Sequence, residues 1–476
     1  MKMLSYTNSA FWAGLTYFSA ICSMLVRNVI FARLLHPDDF SIALTFGVVL
    51  SFFEYLSGFG HELLMQRSKD GNTPRFQATM HTVMVLRGVL IALFVVLIAP
   101  IIPVLLNLPK DAFNYALLAI VPLINAFAHL DPQRAHRHND FKLTAKIGII
   151  ADSTSIIIAL ICITIWKDYW AFYISFVFRH SICTVLSHWL ATRPYRLGLE
   201  KNYLLALWNF GLPLILIGTL KYFGTEVDKA LIARYAGLAE FTLYFLTIMV
   251  TANAANIVSI GLSKIFIRRI STSTMARLNR TAFENGIISL YLVLPILFTI
   301  TIFGEQIVTI IFGQQYSPMP YLFPAVVVLV AFRQLSNWLS QIVVGCADTK
   351  LMLKADIVRI LGLAALLPIA IYGDDVRFFA LAFAISEIIY ILFLSWLISN
   401  IIQHFAATSL VLIGITSVSI TGFILVYWIT HNSEPLTTVS IFSISLLSLI
   451  GALYFSSQTC RNETRKLTKV VRNRLV

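Results

Sequence analysis

Four of the arginines that lie inside long apolar runs of this chain are candidate site residues, because a permanent positive charge there is costly and usually has a function. The planar guanidinium donates two parallel hydrogen bonds to a single carboxylate or phosphate group. In an apolar run it therefore predicts either an anion-binding site or an ion pair with a buried carboxylate, for which Glu54, Asp152 and Glu387 are candidates. We expect at least one of the four to contact substrate in a cleft between helices. They are Arg27, Arg179, Arg333 and Arg87, the last near enough to a helix end to reach water.

A second group of charges lies on the apolar run 208–233. Its members are Lys221, Glu226, Asp228 and Lys229. Lys221, Thr225 and Asp228 are spaced i, i+4, i+7, so on a continuous helix they would share one face. Opposite charges on one face favour a neutralised structural pair. The alternative is a gating or ion-coupling site, in which Glu226 or Asp228 changes protonation during a transport cycle.

Two polar or aromatic side chains follow Arg333 close to the same face of its predicted helix. Trp338 is suited to stack on a sugar ring, and Gln341 to hydrogen-bond it. Packing in the protein core is the alternative role for Trp338.

The composition places these residues in a membrane protein. The 476 residues are 58% hydrophobic and 12% charged, with a mean hydropathy of +0.80, which leaves too little polar surface to cover a soluble fold. Apolar runs of roughly 20 residues predict an all-α polytopic protein with fourteen transmembrane helices. Their predicted spans are 9–32, 40–62, 79–106, 113–130, 144–165, 169–190, 208–233, 239–262, 286–303, 318–344, 353–372, 376–399, 407–429 and 437–456.

Basic residues set the predicted orientation. If the N-terminus is inside, 24 of the 36 Lys and Arg residues fall on internal segments and five on external loops, so both termini are predicted to be cytoplasmic. The net charge of +13 then reflects contact with the anionic inner leaflet. Nucleic acid is not an expected partner.

Two short patterns recur and predict an internal repeat. The strings IFARLLHPDDF at Ile30–Phe40 and LIARYAGLAEF at Leu231–Phe241 are 201 residues apart, and NDFKLTAK at 139–146 and ADTKLMLK at 347–354 are 208 apart. Each pair occupies equivalent topological places, which predicts two parallel six-helix repeats. The predicted divisions are an N-terminal bundle (1–200), a C-terminal bundle (201–402), two appended helices (403–456) and a basic cytoplasmic tail (457–476).

The absence of certain sequence motifs also limits the classes of function that are expected. The sequence contains no GxxxxGK(S/T) phosphate-binding loop and no metal-ligand spacing among its cysteines and histidines. We therefore expect no catalytic residues, metal or cofactor. The predicted external loops are too short to form the acceptor domain of a membrane glycosyltransferase or polymerase, so a transporter is favoured over an enzyme.

The 6 + 6 + 2 arrangement resembles the multidrug/oligosaccharidyl-lipid/polysaccharide transporter superfamily. Within it, ARLLHPDDF resembles the A-R-x-L-x-P-x-(D/E)-(F/Y)-G turn of the polysaccharide transporter, or O-antigen flippase, family, with Ser41 in place of the usual glycine. The strings IFGQQYSP at 311–318 and GCADTKLMLKAD at 345–356 are similar to two further segments of that family. The resemblance covers roughly residues 1–400.

The resemblance implies a flippase of the bacterial cytoplasmic (inner) membrane. It would move an undecaprenyl-diphosphate-linked sugar or oligosaccharide, a unit of O-antigen, capsule or exopolysaccharide, by alternating access. The implied partners are this lipid-linked substrate, membrane lipids and, as a further option, polysaccharide assembly enzymes. An ion-coupled multidrug-type exporter of the same superfamily is the alternative, although it would more naturally have twelve helices. A membrane glycosyltransferase or polymerase is the second alternative.

Overall fold

The computed structural model describes residues 2–56, 58, 60–108, 112–346, 348, 350–373, 375–431 and 435–456. All regular structure in these ranges is helical. Helices are expected for apolar runs in lipid, because a helix satisfies its backbone hydrogen bonds internally. The predicted all-α polytopic membrane fold is confirmed, and the predicted tail at 457–476 lies outside the described residues.

The chain divides into two compact units, Met1–Thr242 and Leu243–Val476. The helices of the first unit are α1 Lys2–Leu34, α2 Pro37–Leu56, α3 His61–Arg67, α4 Pro74–Ile98, α5 Ile102–Leu105, α6 Ala112–Leu117, α7 Ile120–Ala126, α8 Asp131–Ala135, α9 Lys142–Trp166, α10 Tyr169–Trp189, α11 Lys201–Thr225 and α12 Val227–Tyr235. In this unit α1 packs on α9, α9 on α10, α4 on α7, and α2 on both α10 and α11.

Helix α13, Leu238–Ser271, begins in the first unit and continues into the second. The other helices of the second unit are α14 Met275–Phe312, α15 Leu322–Gly345, α16 Lys350–Tyr372, α17 Val376–Ser399, α18 Phe405–His431 and α19 Pro435–Ser456. Here α17 packs on both α15 and α16, α18 packs on α14, and α19 packs on α14 and α18. Helices α11 and α12 contact α2 and belong to the first compact unit, which ends at Thr242. The boundary at residue 200 stays a prediction.

Eleven of the described helices are long and apolar enough to cross a membrane. A twelfth span would be the pair Tyr115–Ala126 and Asp131–His138, which is bent by 50°. Helices α10 and α19 occupy the predicted spans 169–190 and 437–456 without being among the eleven. The count of fourteen stays a prediction.

Four of the predicted spans are interrupted in the described residues, one of them, 113–130, between Leu117 of α6 and Ile120 of α7. The span 40–62 breaks before α3, where Gly60 has φ 67°, a conformation that glycine adopts without strain. The span 79–106 ends its long helix at Ile98, ahead of Pro100 and Pro103, which lack the backbone N–H that a helix interior needs. The span 208–233 breaks at Glu226, whose φ of −125° leaves the helical region.

The sequence repeat reappears in the helix boundaries. Helix α1 ends and α2 begins at Leu34 and Pro37, and α12 ends and α13 begins at Tyr235 and Leu238, which is again an offset of 201 residues. Helices α9 and α16 begin 208 residues apart, at Lys142 and Lys350. The two copies of the turn therefore form the same helix–turn–helix junction.

The helices that follow α9 and α16 also start alike. Asp168 caps α10 by accepting from the backbone N–H of Trp170, and Asp375 caps α17 by accepting from that of Arg377. The Arg377 side chain also donates to Asp375 and holds the pKa of that carboxyl below its usual range. Both hairpins thus use an aspartate N-cap, which satisfies an otherwise unpaired backbone donor.

Close packing of α4 against α7 depends on Gly88. A Cβ atom at this position would lie 2.2 Å from Cβ of Ala126 and 2.9 Å from the Pro122 carbonyl oxygen. We expect Gly88→Ala to lower the free energy of unfolding by about 1–3 kcal/mol, because the helices must separate to admit the methyl group. Thermal unfolding of the detergent-purified protein measures this loss. Gly148→Ala in α9 is the matched control, since nothing lies within 4 Å of its Cβ position; equal effects of the two changes would contradict the packing argument.

Candidate functional site

An interhelical ion pair lies inside the first unit. Arg179 of α10 directs Nε to Oδ1 of Asp152 in α9 at 2.6 Å, and Asp152 is buried. The two residues come together because α9 and α10 form a hairpin through the short turn at Lys167 and Asp168. Of the two roles predicted for Arg179, this geometry matches the ion pair with a buried carboxylate.

Arg27 of α1 lies in the same unit in a different environment. Arg27 is only 7% exposed. Its guanidinium carbon lies 5.7 Å from the ring centroid of Phe172 and 5.4 Å from that of Phe176. Its Nε has no hydrogen-bond partner, and no carboxylate lies within ion-pair distance among the described residues. Aromatic faces offset part of the cost of burying the cation, yet they leave its hydrogen-bond donors available to an anion.

A larger ionic network occupies the interior of the second unit. Glu387 of α17 is fully buried, and its Oε1 lies 3.3 Å from Nη1 of Arg359 and 3.7 Å from Nε of Arg333. Its Oε2 accepts a hydrogen bond of 2.6 Å from Ser336. Arg359 also donates to Asp356 at 2.6 Å. Two arginines and two carboxylates thus neutralise one another across α15, α16 and α17.

The ionic groups of the two units occupy nearly equivalent places in the repeat. Arg179 precedes Glu387 by 208 residues, and Asp152 precedes Arg359 by 207. Each pair joins the two helices of equivalent hairpins, α9 with α10 and α16 with α17. The same interhelical ion pair is therefore present in both repeats with its charges reversed.

The equivalence extends to a third helix. Arg333 lies 208 residues after Asn125. Asn125 Oδ1 lies 2.9 Å from Nδ1 of His180, the residue next to Arg179. In both repeats a polar side chain from a third helix therefore contacts the second helix of the hairpin, at His180 in the first unit and at Glu387 in the second. The first unit uses an amide where the second uses a cation.

Sequence reasoning did not single out Asp356 or Arg359. Both are ionisable residues on the predicted span 353–372, and this is the signal that would have included them. Their i, i+3 spacing on α16 also allows the observed contact.

The remaining predicted substrate contacts are Trp338, Gln341 and Arg87. Trp338 is buried, donates from Nε1 to the Ala282 carbonyl oxygen at 3.0 Å and stacks on Phe405, which fits its alternative role in packing. Gln341 is half-buried, and its Oε1 has no hydrogen-bond partner in the described ranges. Arg87 contacts His61, with Nη1 3.3 Å from Nδ1.

The predicted shared face of Lys221 and Asp228 is not formed, because the helix breaks at Glu226 between them. Lys221 is exposed on α11. Lys229 instead lies 2.6 Å from Oε2 of Glu226 and 3.7 Å from Oδ1 of Asp228. Asp228 is fully buried, 201 residues after Arg27. Lys229 therefore compensates part of the charge of Glu226 and Asp228, a pairing that the predicted shared face did not include.

Comparison with known proteins gives consistent matches. A family model described as polysaccharide biosynthesis protein matches residues 30–320. A Klebsiella pneumoniae protein described as an uncharacterized membrane protein in the cps region is 20% identical over 363 residues, or 75% of each chain.

Two solved transporter structures share the fold. The lipid II flippase MurJ in an inward closed conformation aligns with a TM-score of 0.70 and 16% identity, covering 94% of this chain and 99% of that one. An inward-facing multidrug resistance MATE family transporter of the MOP superfamily aligns with a TM-score of 0.62 and 12% identity, covering 85% and 95%.

Proposed function

The chain belongs to the polysaccharide biosynthesis protein family, and we propose that it is a flippase for a lipid-linked sugar or oligosaccharide. The substrate class is a polyprenyl diphosphate that carries a unit of O-antigen, capsule or exopolysaccharide. Neither diphosphate nor sugar crosses hydrocarbon unaided, since each buried polar group left unpaired costs several kcal/mol. A protein that supplies a polar path for the head while the tail stays in lipid removes most of that cost.

The environment of Arg27 carries this proposal. Arg27 is a buried cation whose Nε has no hydrogen-bond partner. In the described part of the chain, no carboxylate lies within ion-pair distance of it. The diphosphate of the substrate would supply the missing anion, and the fork of the guanidinium would bind two of its oxygens at once. Arg179 and Arg333 each have a carboxylate nearby. We therefore assign them to the supporting structure and rank them, with Gln341, Arg87 and Trp338, below Arg27 as substrate contacts.

We place the protein in the bacterial cytoplasmic membrane with both termini in the cytoplasm. The supporting observation is the excess of Lys and Arg on the predicted internal segments. Membrane lipids would then surround the helices, and the lipid-linked substrate would enter from the inner leaflet.

An ion-coupled exporter is the second candidate, and the burial of Asp228 favours it. A fully buried carboxylate beside Lys229 and Glu226 would be suited to bind and release a proton or sodium ion during transport. The same group would equally serve a flippase driven by an ion gradient. Measuring transport with and without each gradient separates coupling from its absence.

Transport in a deletion strain tests the role of Arg27. We expect deletion to cause a lipid-linked glycan to accumulate in the inner leaflet, and the wild-type gene to remove it. Arg27→Ala should retain less than about a tenth of this activity, because the diphosphate loses a charged donor pair, and Arg27→Lys should retain more. Arg33→Ala, a change of an exposed arginine on the same helix, is the matched control.

Two outcomes separate the parts of this proposal. If deletion causes no inner-leaflet accumulation, the flippase assignment is wrong. If the wild-type gene restores transport and Arg27→Ala restores it equally at matched protein level, the flippase assignment stands and the role of Arg27 is wrong. Arg179→Ala and Arg333→Ala belong in the same series, with protein level and unfolding temperature measured for each.

A further inference from the structure

A small cavity lies at the end of the first unit that is predicted to face the cytoplasm. It has a volume of about 210 Å³, below the roughly 300–1,000 Å³ of sites for drug-sized ligands. Its walls come from the first turns of α4 and from the segment that follows α10. The lining residues are Pro74, Gln77, Ala78, His81, Arg193, Pro194 and Arg196. A cavity of this size suits a small polar group.

The segment after α10 is held in place by a buried carboxylate. Oδ2 of Asp131 accepts hydrogen bonds from the backbone N–H groups of Thr192 and Arg193 at 2.6 Å and 3.1 Å, and from the Thr192 hydroxyl at 2.8 Å. Its Oδ1 accepts from Gln77 and Arg134 at 3.0 Å and 2.9 Å. Asp131 is only 1% exposed. It therefore fixes the backbone around the cavity while its own charge is compensated.

The two arginines of the cavity keep donors free. Arg193 uses three of its five N–H groups on the protein: Nη1 donates to the Asn72 carbonyl and to Gln77 Oε1, and Nη2 donates to Asn72 Oδ1. These contacts hold its guanidinium in a fixed orientation. The exposed guanidinium of Arg196 has no hydrogen-bond partner in the part of the chain that the structure describes.

The lining histidine is neutral in this arrangement. His81 is 1% exposed, and its Nδ1 lies 3.1 Å from the Arg196 carbonyl oxygen, which can only accept. Its Nε2 lies 3.1 Å from the backbone N–H of Leu130, which can only donate. The proton is thus on Nδ1, and His81 positions the backbone of Arg196. The free donors at the cavity belong to two cations, with no unpaired carboxylate among the lining residues.

We propose that this cavity binds a phosphate group on the cytoplasmic side of the protein. Two guanidinium groups with unused N–H donors, one of them pre-oriented, match the charge and the several acceptor oxygens of a phosphate mono- or diester. The group is carried either by the headgroup of an anionic lipid of the inner leaflet or by a soluble phosphate compound. This site does not rest on the proposed flippase function, because it lies about 20 Å along α10 from the ring of Phe176 that contacts Arg27.

Binding to the purified full-length protein tests the site. The probes are inorganic phosphate, with chloride at the same ionic strength as its control, and dioctanoyl phosphatidylglycerol, with dioctanoyl phosphatidylcholine as its control. The unfolding temperature in detergent is measured against probe concentration. We expect a saturable rise for at least one phosphate probe and none for its control.

Three variants tie that binding to the cavity. Arg196→Gln should weaken it about tenfold, the loss expected for a charge-assisted donor pair. Pro194→Glu, which adds a carboxylate at an exposed rim position, should abolish it. Arg75→Gln is the control: it removes an exposed arginine in the first turn of α4 that does not line the cavity. This variant should bind the probe like the wild type.

The pattern of outcomes decides the proposal. Saturation by phosphatidylglycerol alone identifies a lipid headgroup as the ligand, and saturation by inorganic phosphate identifies a soluble anion. Equal affinities for Arg196→Gln and Arg75→Gln would overturn the proposal, as would the absence of saturation with both probes. Because Arg196 makes no side-chain hydrogen bond in the described ranges, its replacement should leave the unfolding temperature without probe unchanged, which confirms that the variant is folded.

Discussion

Glu387→Ala should be the most damaging single change in the second unit. The substitution removes the carboxylate that lies near both Arg359 and Arg333, and it leaves the Ser336 hydroxyl without its acceptor. Breaking a buried ion pair from one side costs about 3–5 kcal/mol, because the remaining charge stays buried without compensation. Arg359 would keep its pair with Asp356, whereas Arg333 would lose the carboxylate that lies beside it. We expect little folded protein to be recovered from the membrane.

Recovery of monodisperse protein and its unfolding temperature measure this effect. Glu284→Ala is the matched control, because Glu284 also pairs with two arginines, Arg269 and Arg280, at a site where Arg280 is largely exposed. Ion pairs of that kind contribute about 0–1 kcal/mol. A loss of stability for Glu387→Ala no greater than that for Glu284→Ala would show that the network in the second unit is not structural.

A charge exchange in the first unit should behave as a double-mutant pair. Asp152→Arg alone places a second cation beside Arg179 in a unit that already buries Arg27, so we expect folded protein to fall several-fold. Combining it with Arg179→Glu gives α9 and α10 the charge order that Arg359 and Glu387 have in α16 and α17. We expect the double variant to regain most of the folded yield, since opposite charges again face each other.

The two single changes and the double variant are compared by yield and unfolding temperature, and the coupling energy follows from the cycle. Asp168→Asn is a control that keeps the N-cap oxygen of α10. A double variant no better than the worse single one would mean that the two hairpins are not equivalent in geometry, whatever their sequence offset. Recovery of folding without recovery of transport would locate an additional role in Arg179 itself.

The class and the repeat of this protein are readable from sequence because they depend on local properties. Apolar runs are long enough to require helices in lipid, and the turn at Ile30–Phe40 recurs with the same spacing between helix end and helix start. The helix breaks at Gly60 and Glu226 are harder to predict from the sequence. Hydropathy averages over many residues and is insensitive to the single dihedral angle that ends a helix.

The candidate site was predictable as a set of residues and not as a set of contacts. Arg179 and Asp152 were both identified as buried charges, but they lie on different helices, and their pairing depends on how the hairpin packs. The contrast between Arg27 and Arg333 depends in the same way on tertiary neighbours. Phe172 and Phe176 surround the first, and Glu387 lies beside the second. No spacing rule within one helix contains that information.

The reversed order of charges in the two hairpins has a consequence for assembly. Helices of duplicated bundles are similar enough to be exchanged for one another while the chain folds, and misassembly between repeats is a common failure of such proteins. If α9 paired with α17, Asp152 would meet Glu387, and if α16 paired with α10, Arg359 would meet Arg179. Both mistakes bury like charges in a medium of low dielectric constant. The reversed order of charges therefore disfavours both wrong pairings, and it favours the pairing of each helix with the partner from its own half.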